Sequence, residues 1–86
     1  MFDASGIGFI RRGSKHVVFD VIPDSAGAEA GVRIGDVLVG IDDRAAGDLT
    51  RVQLRALLSA DGSTRRLTFE RDGRTVTVVL RLRARI

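Results

Sequence analysis

The side chains that most often perform catalysis are few in this 86-residue sequence, and they are not arranged to act together. His16 is the only histidine and cysteine is absent, so neither a thiol nucleophile nor a metal site of several histidines can be built. No serine lies in a nucleophile-elbow pattern that would complete a triad with His16, which follows a polar turn and is expected to be exposed. The sequence therefore predicts no catalytic residue, no metal and no cofactor, and we expect no hydrolytic activity from the chain alone.

Two short segments with carboxylates come closer to a catalytic pattern. Asp24-Ser25-Ala26 is similar to the Asp-Ser-Gly of aspartic proteases, but the third residue differs and Ser25 also suits a helix N-cap. Asp42 and Asp43 are adjacent, and adjacent residues of a strand point to opposite faces. A helix cap and a turn are the favoured interpretations, so the sequence indicates binding rather than catalysis.

The segment Gly6-Ile7-Gly8-Phe9 is a candidate anion-binding loop. Two glycines around an apolar residue let the backbone bend so that successive amides converge, and such a nest can hold a carboxylate. Taken by itself the tetrapeptide is better explained as a glycine turn with Ile7 and Phe9 in the core. Its interpretation therefore depends on the elements around it.

Composition limits the size and class of the protein. A chain of this length with 44% hydrophobic and 29% charged residues predicts one small globular domain. The net charge of +3 comes from arginines spread along the chain, without Trp or Tyr to stack on bases, which favours solvated faces over a nucleic-acid patch. No apolar run is long enough for a membrane span or a signal segment, so we expect no membrane insertion of this domain.

Alternating apolar residues and turn signals predict five or so strands. Phe9 to Arg12 and Val17 to Ile22 indicate a hairpin, and Val37 to Ile41 is a buried central strand. A second hairpin joins residues 66–70 and 75–82 through Asp72-Gly73, which suits a type I′ turn.

Two short helices are predicted between these strands. Ser25 caps the helix from Ala26 to Ala30, which Gly31 closes in the left-handed conformation. The second helix begins at Thr50, because Thr50 and Gln53 have capping-box spacing. Its apolar face is expected to contain Val52, Leu54, Leu57 and Leu58, and Asp61-Gly62 ends it. The predicted fold class is α+β, a small antiparallel β-sandwich or barrel of five to six strands capped by two helices.

These motifs together resemble one known family. Gly6-Ile7-Gly8-Phe9 resembles the Gly-Leu-Gly-Phe carboxylate-binding loop of PDZ domains, and residues 21–38 look like their most characteristic stretch. The order of elements agrees, so the resemblance implies a single PDZ domain over residues 1–86, with 1–5 as the end of an upstream linker and 6–9 as the loop. Asp24 stands where glycine is usual, which affects the turn rather than the groove.

The connectivity is similar to that of circularly permuted bacterial PDZ domains. Few residues precede Gly6, and a long strand near the end of the chain would take the place of the strand that precedes the loop in many animal PDZ domains. Such bacterial domains are commonly attached to envelope proteases, so the resemblance implies attachment to a larger protease and a periplasmic or cell-envelope location. The segment before Gly6 looks similar to the carboxy-terminal PDZ domain of bacterial retropepsin-like aspartic proteases.

The resemblance also implies a binding mode and a set of residues. Protein C-termini or extended peptides would add as a strand to the edge at residues 9–12, with a carboxylate on the amides of residues 7–9. The implied peptide-binding residues are Ile7, Gly8, Phe9, Ile10, Arg11, Arg51, Leu54, Arg55 and Leu58. Ile7, Phe9, Leu54 and Leu58 would line the pocket for an aliphatic last residue, with core packing an equal alternative for Leu54. Arg51 and Arg55, one turn apart, would favour acidic ligand residues, although a solvated helix face explains them more simply.

Two functions remain open at this point. One is a peptide-binding module that docks substrates or regulates an attached bacterial protease. The other is a scaffold or assembly domain of a secretion or envelope complex, whose groove contacts another subunit. The sequence does not specify the ligand or the oligomeric state.

Overall fold

A computed structural model of the protein describes residues 5–59 and 62–82. One antiparallel sheet holds the strands in the order β1-β2-β3-β5-β6, with β4 paired to β3. The strands are β1 (Ile7–Arg12), β2 (Lys15–Val21), β3 (Val37–Ile41), β4 (Arg44–Ala45), β5 (Thr64–Arg71) and β6 (Arg74–Arg81). The helices are α1 (Ala26–Ala30) and α2 (Arg51–Leu57), with a 3-10 turn at Ala46–Asp48. The predicted α+β fold of five to six antiparallel strands and two helices is confirmed.

The core lies on one face of the sheet. Phe69, Ile41 and Leu80 have no exposed surface, and Leu54 and Leu58 pack into the same cluster from α2. Ile41, Phe69 and Leu80 come from β3, β5 and β6, where every second residue points inward. The sheet therefore supplies a fixed platform on which α2 rests.

Both helix starts agree with the sequence prediction. Ser25 has an extended backbone and its hydroxyl accepts from the Ala28 amide at 3.1 Å. Thr50 and Gln53 form the reciprocal capping box, with bonds of 3.1 and 2.9 Å. Gly31 closes α1 at φ 88°, so its left-handed conformation is confirmed. The second helix ends at Leu57; the predicted stop at Asp61 lies outside the described residues.

The β5–β6 hairpin has the predicted turn. Thr64 pairs with Arg81 and Arg71 with Arg74, so two residues form the turn. Asp72 and Gly73 both have positive φ, at 51° and 79°, as a type I′ turn requires. Within the described part of the chain, no helix is long and apolar enough to cross a membrane.

The side chains of His16 and Val52 do not lie where the sequence analysis predicted. His16 is fully buried on β2, where its Nε2 lies 2.9 Å from the Leu49 carbonyl oxygen, because the turn ends one residue earlier and His16 already alternates inward. The carbonyl can only accept, so Nε2 carries the proton. Val52 is 79% exposed and does not share the buried face of α2, since it lies two residues from Leu54 and so points to a different side of the helix.

A partly buried ion pair ties α1 to the sheet. Arg71 donates to both carboxylate oxygens of Asp36, at 2.8 and 2.7 Å, and to the Gly31 carbonyl at 2.9 Å. The Arg33 amide donates to the same carboxylate at 3.0 Å. Asp36 is almost fully buried, so its charge depends on these donors. The pair thus joins the end of β5 to the turn that leads from α1 into β3.

The pKa of Asp36 reflects these contacts. Burial of the carboxylate raises its pKa, but the hydrogen bonds from Arg71 and the Arg33 amide, with the two arginine charges, outweigh burial and hold the pKa below its ordinary value. The hydrogen bond to Asp36 in turn raises the pKa of Arg71. The ion pair is therefore present at neutral pH.

We predict that Asp36→Asn lowers the free energy of unfolding by about 2 kcal/mol, because the buried arginine contact loses its charged acceptor. Urea unfolding monitored by circular dichroism measures the change. Asp43→Asn is the matched control, since Asp43 is 97% exposed and its pair with Arg66 is also solvated. An Asp36→Asn variant as stable as the Asp43→Asn variant would contradict this role.

The same carboxylate predicts a pH dependence. Because the pKa of Asp36 is lower in the folded chain than in the unfolded chain, its contribution is complete above about pH 4 and is lost as the pH falls through the folded value. The pKa of Asp42 is lowered too, mainly by a hydrogen bond from the Arg66 amide, so acid destabilisation persists in part without Asp36. The Asp36→Asn variant should therefore lose less stability than the wild type between pH 5 and pH 2. Equal losses would contradict the assignment.

Candidate functional site

A groove of about 970 Å³ lies between β1 and α2. Its lining residues are Ile7, Gly8, Phe9 and Arg11 on β1, Phe19 and Asp20 on β2, and Thr50, Arg51, Val52, Leu54 and Arg55 at α2. The floor is apolar, because Ile7 and Leu54 both belong to the core cluster. Charged side chains lie along the rim. A groove of this form suits an extended chain with alternating side chains.

The groove side of β1 is an open sheet edge. β1 is the terminal strand of the sheet path, and within residues 5–59 and 62–82 it pairs only with β2. Phe9 stands opposite Val18, whose N–H and C=O are used by Asp36 and Gly35 on its other side. The backbone of Phe9 therefore faces the open edge, and alternation puts the Arg11 backbone there too. These groups can accept an added strand.

The loop before β1 is held against the start of α1. The Ile22 amide donates to the Gly6 carbonyl at 2.9 Å, and the Gly27 amide donates to the Ser5 carbonyl at 2.8 Å. Gly6 has φ 70°, and a Cβ at Gly6 would lie 2.2 Å from the Ser25 Cβ. Glycine is therefore required at position 6 both by its backbone conformation and by this contact.

Ser5 belongs to this loop and not to a linker, where the sequence prediction placed it. Its side chain is fully buried, and its hydroxyl accepts from the Ile7 amide at 3.1 Å. The Ile7 amide, one of the three predicted to bind a carboxylate, is thus bonded within the chain. A ligand carboxylate has to share or replace that bond, whereas the Phe9 amide faces the open edge.

The close approach of Ile7 to α1 depends on Gly27. A Cβ at Gly27 would lie 2.4 Å from Ile7 Cγ1 and 3.1 Å from the Ser5 carbonyl oxygen. The absence of a side chain on α1 therefore sets the depth of Ile7 in the groove floor.

Arg11 and His16 fix the distance between the two walls. Arg11 Nη1 donates to the Leu49 carbonyl at 2.8 Å, and His16 Nε2 donates to the same oxygen at 2.9 Å. Leu49 directly precedes the N-cap of α2, so β1 and β2 both anchor the start of that helix. Arg11 lines the groove, but its guanidinium is hydrogen-bonded within the chain and holds β1 to the residue before α2.

The structure brings together most of the predicted site residues. Ile7, Gly8, Phe9, Arg11, Arg51, Leu54 and Arg55 all line the groove. Leu54 combines both of its predicted roles, because it packs in the core and forms part of the floor. Arg51 and Arg55 are exposed at the rim, where they can meet a ligand.

Ile10 and Leu58 do not line the groove. Ile10 lies between Phe9 and Arg11 on β1, so strand alternation turns its side chain to the other face, where it is 41% exposed. Leu58 is fully buried at the C-cap of α2 and packs in the core. It lies one turn after Leu54, and its amide still donates to the Leu54 carbonyl at 3.1 Å, so it shares the buried face of α2 and does not reach the groove.

Four groove residues were not predicted: Phe19, Asp20, Thr50 and Val52. Phe19 has no partner on β1, because Gly8 pairs with Asp20 and Phe9 with Val18. It is the extra residue of a β-bulge, which changes the direction of its side chain. A bulge has no marker in this sequence, so alternation alone could not place Phe19.

The family of the chain is established by comparison with known proteins. Residues 5–82 match the family model described as PDZ domain, and the chain belongs to this family. A search of curated proteins gave no match. The family is one of binding modules, and the chain is accordingly a non-catalytic domain.

Several solved protease structures contain a similar domain. The HtrA-type protease AlgW in complex with a decapeptide has a TM-score of 0.79 at 21% identity, over 95% of this chain. The photosystem II D1 C-terminal processing protease has a TM-score of 0.81 at 26% identity, over 91%. A serine endoprotease from Yersinia pestis has a TM-score of 0.70 at 23% identity, over 91%. This chain spans only 29%, 22% and 27% of those three chains, so it corresponds to one part of each.

We predict that Gly27→Ala destabilises the protein, although alanine normally stabilises a helix relative to glycine by about 0.5–1 kcal/mol. The added methyl group would overlap Ile7, so the free energy of unfolding should fall by about 1–3 kcal/mol. Gly47→Ala is the control, because its Cβ would meet only the Ser14 carbonyl at 3.7 Å. Urea unfolding of both variants gives the comparison. A Gly27→Ala variant more stable than the wild type would show that Ile7 can move away from α1.

Proposed function

We propose that this domain binds extended peptide segments and protein C-termini by β-strand addition to β1. The observation that carries the proposal is the open backbone edge of Phe9 and Arg11, which faces α2 across an apolar-floored groove. A ligand strand in this groove would bond to the β1 backbone and place alternate side chains towards Ile7 and Leu54. An aliphatic last residue suits that floor.

We further propose that the domain docks substrates for, or regulates, a protease to which it is attached. The similar domains in AlgW and in the D1 processing protease support this role, and one of those structures was determined with a decapeptide. The scaffold role in a secretion or envelope complex has no comparable support from these neighbours. It would be favoured if the parent chain carried a membrane anchor without a protease domain.

The class of the parent protease is a separate part of the proposal. The sequence resemblance pointed to retropepsin-like aspartic proteases, whereas the neighbours described above are an HtrA-type protease, a C-terminal processing protease and a serine endoprotease. The neighbours therefore support attachment to a protease but not the retropepsin-like class. The location in the bacterial periplasm or envelope is proposed from the sequence resemblance to circularly permuted bacterial PDZ domains alone.

The binding mode predicts that a free carboxylate strengthens binding. The probe is a fluorescein-labelled decapeptide that ends in valine, with alanine before it and glutamate at the third and fourth positions from its end. Charge-assisted hydrogen bonds to a carboxylate contribute roughly 1.5–3 kcal/mol, so its carboxy-terminal amide should bind about tenfold more weakly. Fluorescence anisotropy titration measures both peptides.

Two controls locate the interaction. Gly8→Val should weaken both peptides because its side chain would crowd the β1 end of the groove, whereas Val79→Ala, a change at an exposed residue of β6 outside the groove, should bind them as the wild type does. Hydrogen exchange should show protection of the Phe9 and Arg11 amides when peptide is bound. Equal affinity of the acid and amide peptides would show that the ligand carboxylate does not bind to the loop. Phe9 and Arg11 amides that stay unprotected when peptide is bound would exclude strand addition.

The rim arginines predict a charge preference. Replacing the two glutamates of the probe by lysines should reduce affinity about twofold to fivefold at low salt, because Arg51 and Arg55 border the groove at an exposed site. Added salt should shrink the difference. Arg51→Gln combined with Arg55→Gln should abolish it, whereas Arg74→Gln, a change on β6 outside the groove, should not. A preference that survives in the double variant would assign it to other residues.

A further inference from the structure

The groove has a second part that the fold itself does not explain. Phe19 is 53% exposed, although burial of an aromatic side chain of this size is ordinarily among the largest contributions to folding. It occupies the bulge position of β2 and lines the groove together with its neighbour Asp20. An aromatic ring and a carboxylate are thus presented side by side to solvent at one end of the groove.

The position opposite this pair has no side chain. Asp20 is the register partner of Gly8, so nothing projects from β1 between Asp20 and the groove at that point. The Asp20 Oδ1 accepts from the Val21 amide at 2.9 Å, which holds the carboxylate against its own strand. Phe19 and Asp20 therefore border the groove together next to Gly8.

Strand geometry decides which ligand residue would meet this surface. In the proposed binding mode, the last side chain of the ligand points to the floor made by Ile7 and Leu54. Successive side chains of a strand point to opposite faces, so the penultimate side chain points away from the floor. On that side of β1, next to the loop, the groove residues are Phe19 and Asp20.

A basic side chain fits this surface best. The face of an aromatic ring attracts a cation, and a carboxylate beside it supplies the opposite charge. Of the arginines that line the groove, Arg51 and Arg55 lie on α2, and the guanidinium of Arg11 on β1 is bonded to the Leu49 and Gly13 carbonyls. A ligand with a basic penultimate residue and acidic residues further from its end would match both groups.

We propose that Phe19 and Asp20 form a subsite that selects arginine or lysine at the penultimate position of a bound peptide. This inference rests on the proposed function, since it requires a peptide strand along β1. The subsite gives the groove a second specificity besides the pocket for the last residue. It assigns a role to the bulge, which brings Phe19 to the groove.

The test uses three labelled decapeptides that differ only in the penultimate residue. Each ends in valine with a free carboxylate, and the residue before it is arginine, alanine or glutamate. Anisotropy titrations on the wild-type domain should rank them in that order, with arginine about threefold to tenfold tighter than alanine. The ratio of arginine to alanine affinities is the readout, because it does not depend on the general strength of binding.

Variants of Phe19 and Asp20 test whether these two side chains cause the difference in affinity between the arginine and alanine peptides. Phe19→Leu keeps an apolar group without the ring, and Asp20→Asn keeps the bond to the Val21 amide without the charge. Each should reduce the ratio, and the double variant should bring it to about one. Asp43→Asn and Val79→Ala change an exposed charge and an exposed apolar residue outside the groove, so they should leave the ratio as in the wild type.

The outcomes separate this inference from the proposed function. Equal binding of the three peptides, or an unchanged ratio in the double variant, would overturn the subsite while leaving peptide binding intact. Absence of binding by all three peptides would overturn the proposed function and the subsite with it. Tighter binding of the glutamate peptide than of the arginine peptide would also overturn the subsite.

Discussion

The close contact between the loop before β1 and the start of α1 is the constraint on which the groove depends. Gly6 and Gly27 leave no room for a side chain between Ser25, Ile7 and Ser5. Two backbone bonds and the Ser5 hydroxyl then hold the loop in one conformation. Because the loop is fixed, β1 begins at a defined place, and Ile7 enters the groove floor at a defined depth. A domain of this size has few other ways to make a binding site rigid.

The second wall of the groove is positioned through a single carbonyl oxygen. Arg11 and His16 both donate to Leu49, so the α2 start is anchored from β1 and β2 without filling the groove. This contact gives the buried His16 a structural role in the domain. The arginines of the chain likewise have different roles, since Arg71 and Arg11 are structural whereas Arg51 and Arg55 border the groove.

An open strand edge is a risk as well as a binding surface, because unpaired backbone groups can recruit other chains. Here β1 is only six residues long, ends in two arginines, and faces α2 across the groove. These features limit access to a single extended segment, which is what a peptide-binding module requires. The proposed charges on the rim, positive on α2 and negative at Asp20, would further select the segment and its direction.

Local signals in the sequence determined the elements of this protein. The capping box at Thr50 and the turn at Asp72-Gly73 act through neighbours only a few residues away, and both were predicted correctly. Only the tertiary structure decided the burial of His16 and the exposure of Phe19 at the groove. The first depends on the carbonyl of the distant Leu49, and the second depends on the bulge in the pairing of β1 with β2. No pattern of local spacing contains that information, because the partner in each case is supplied by the fold.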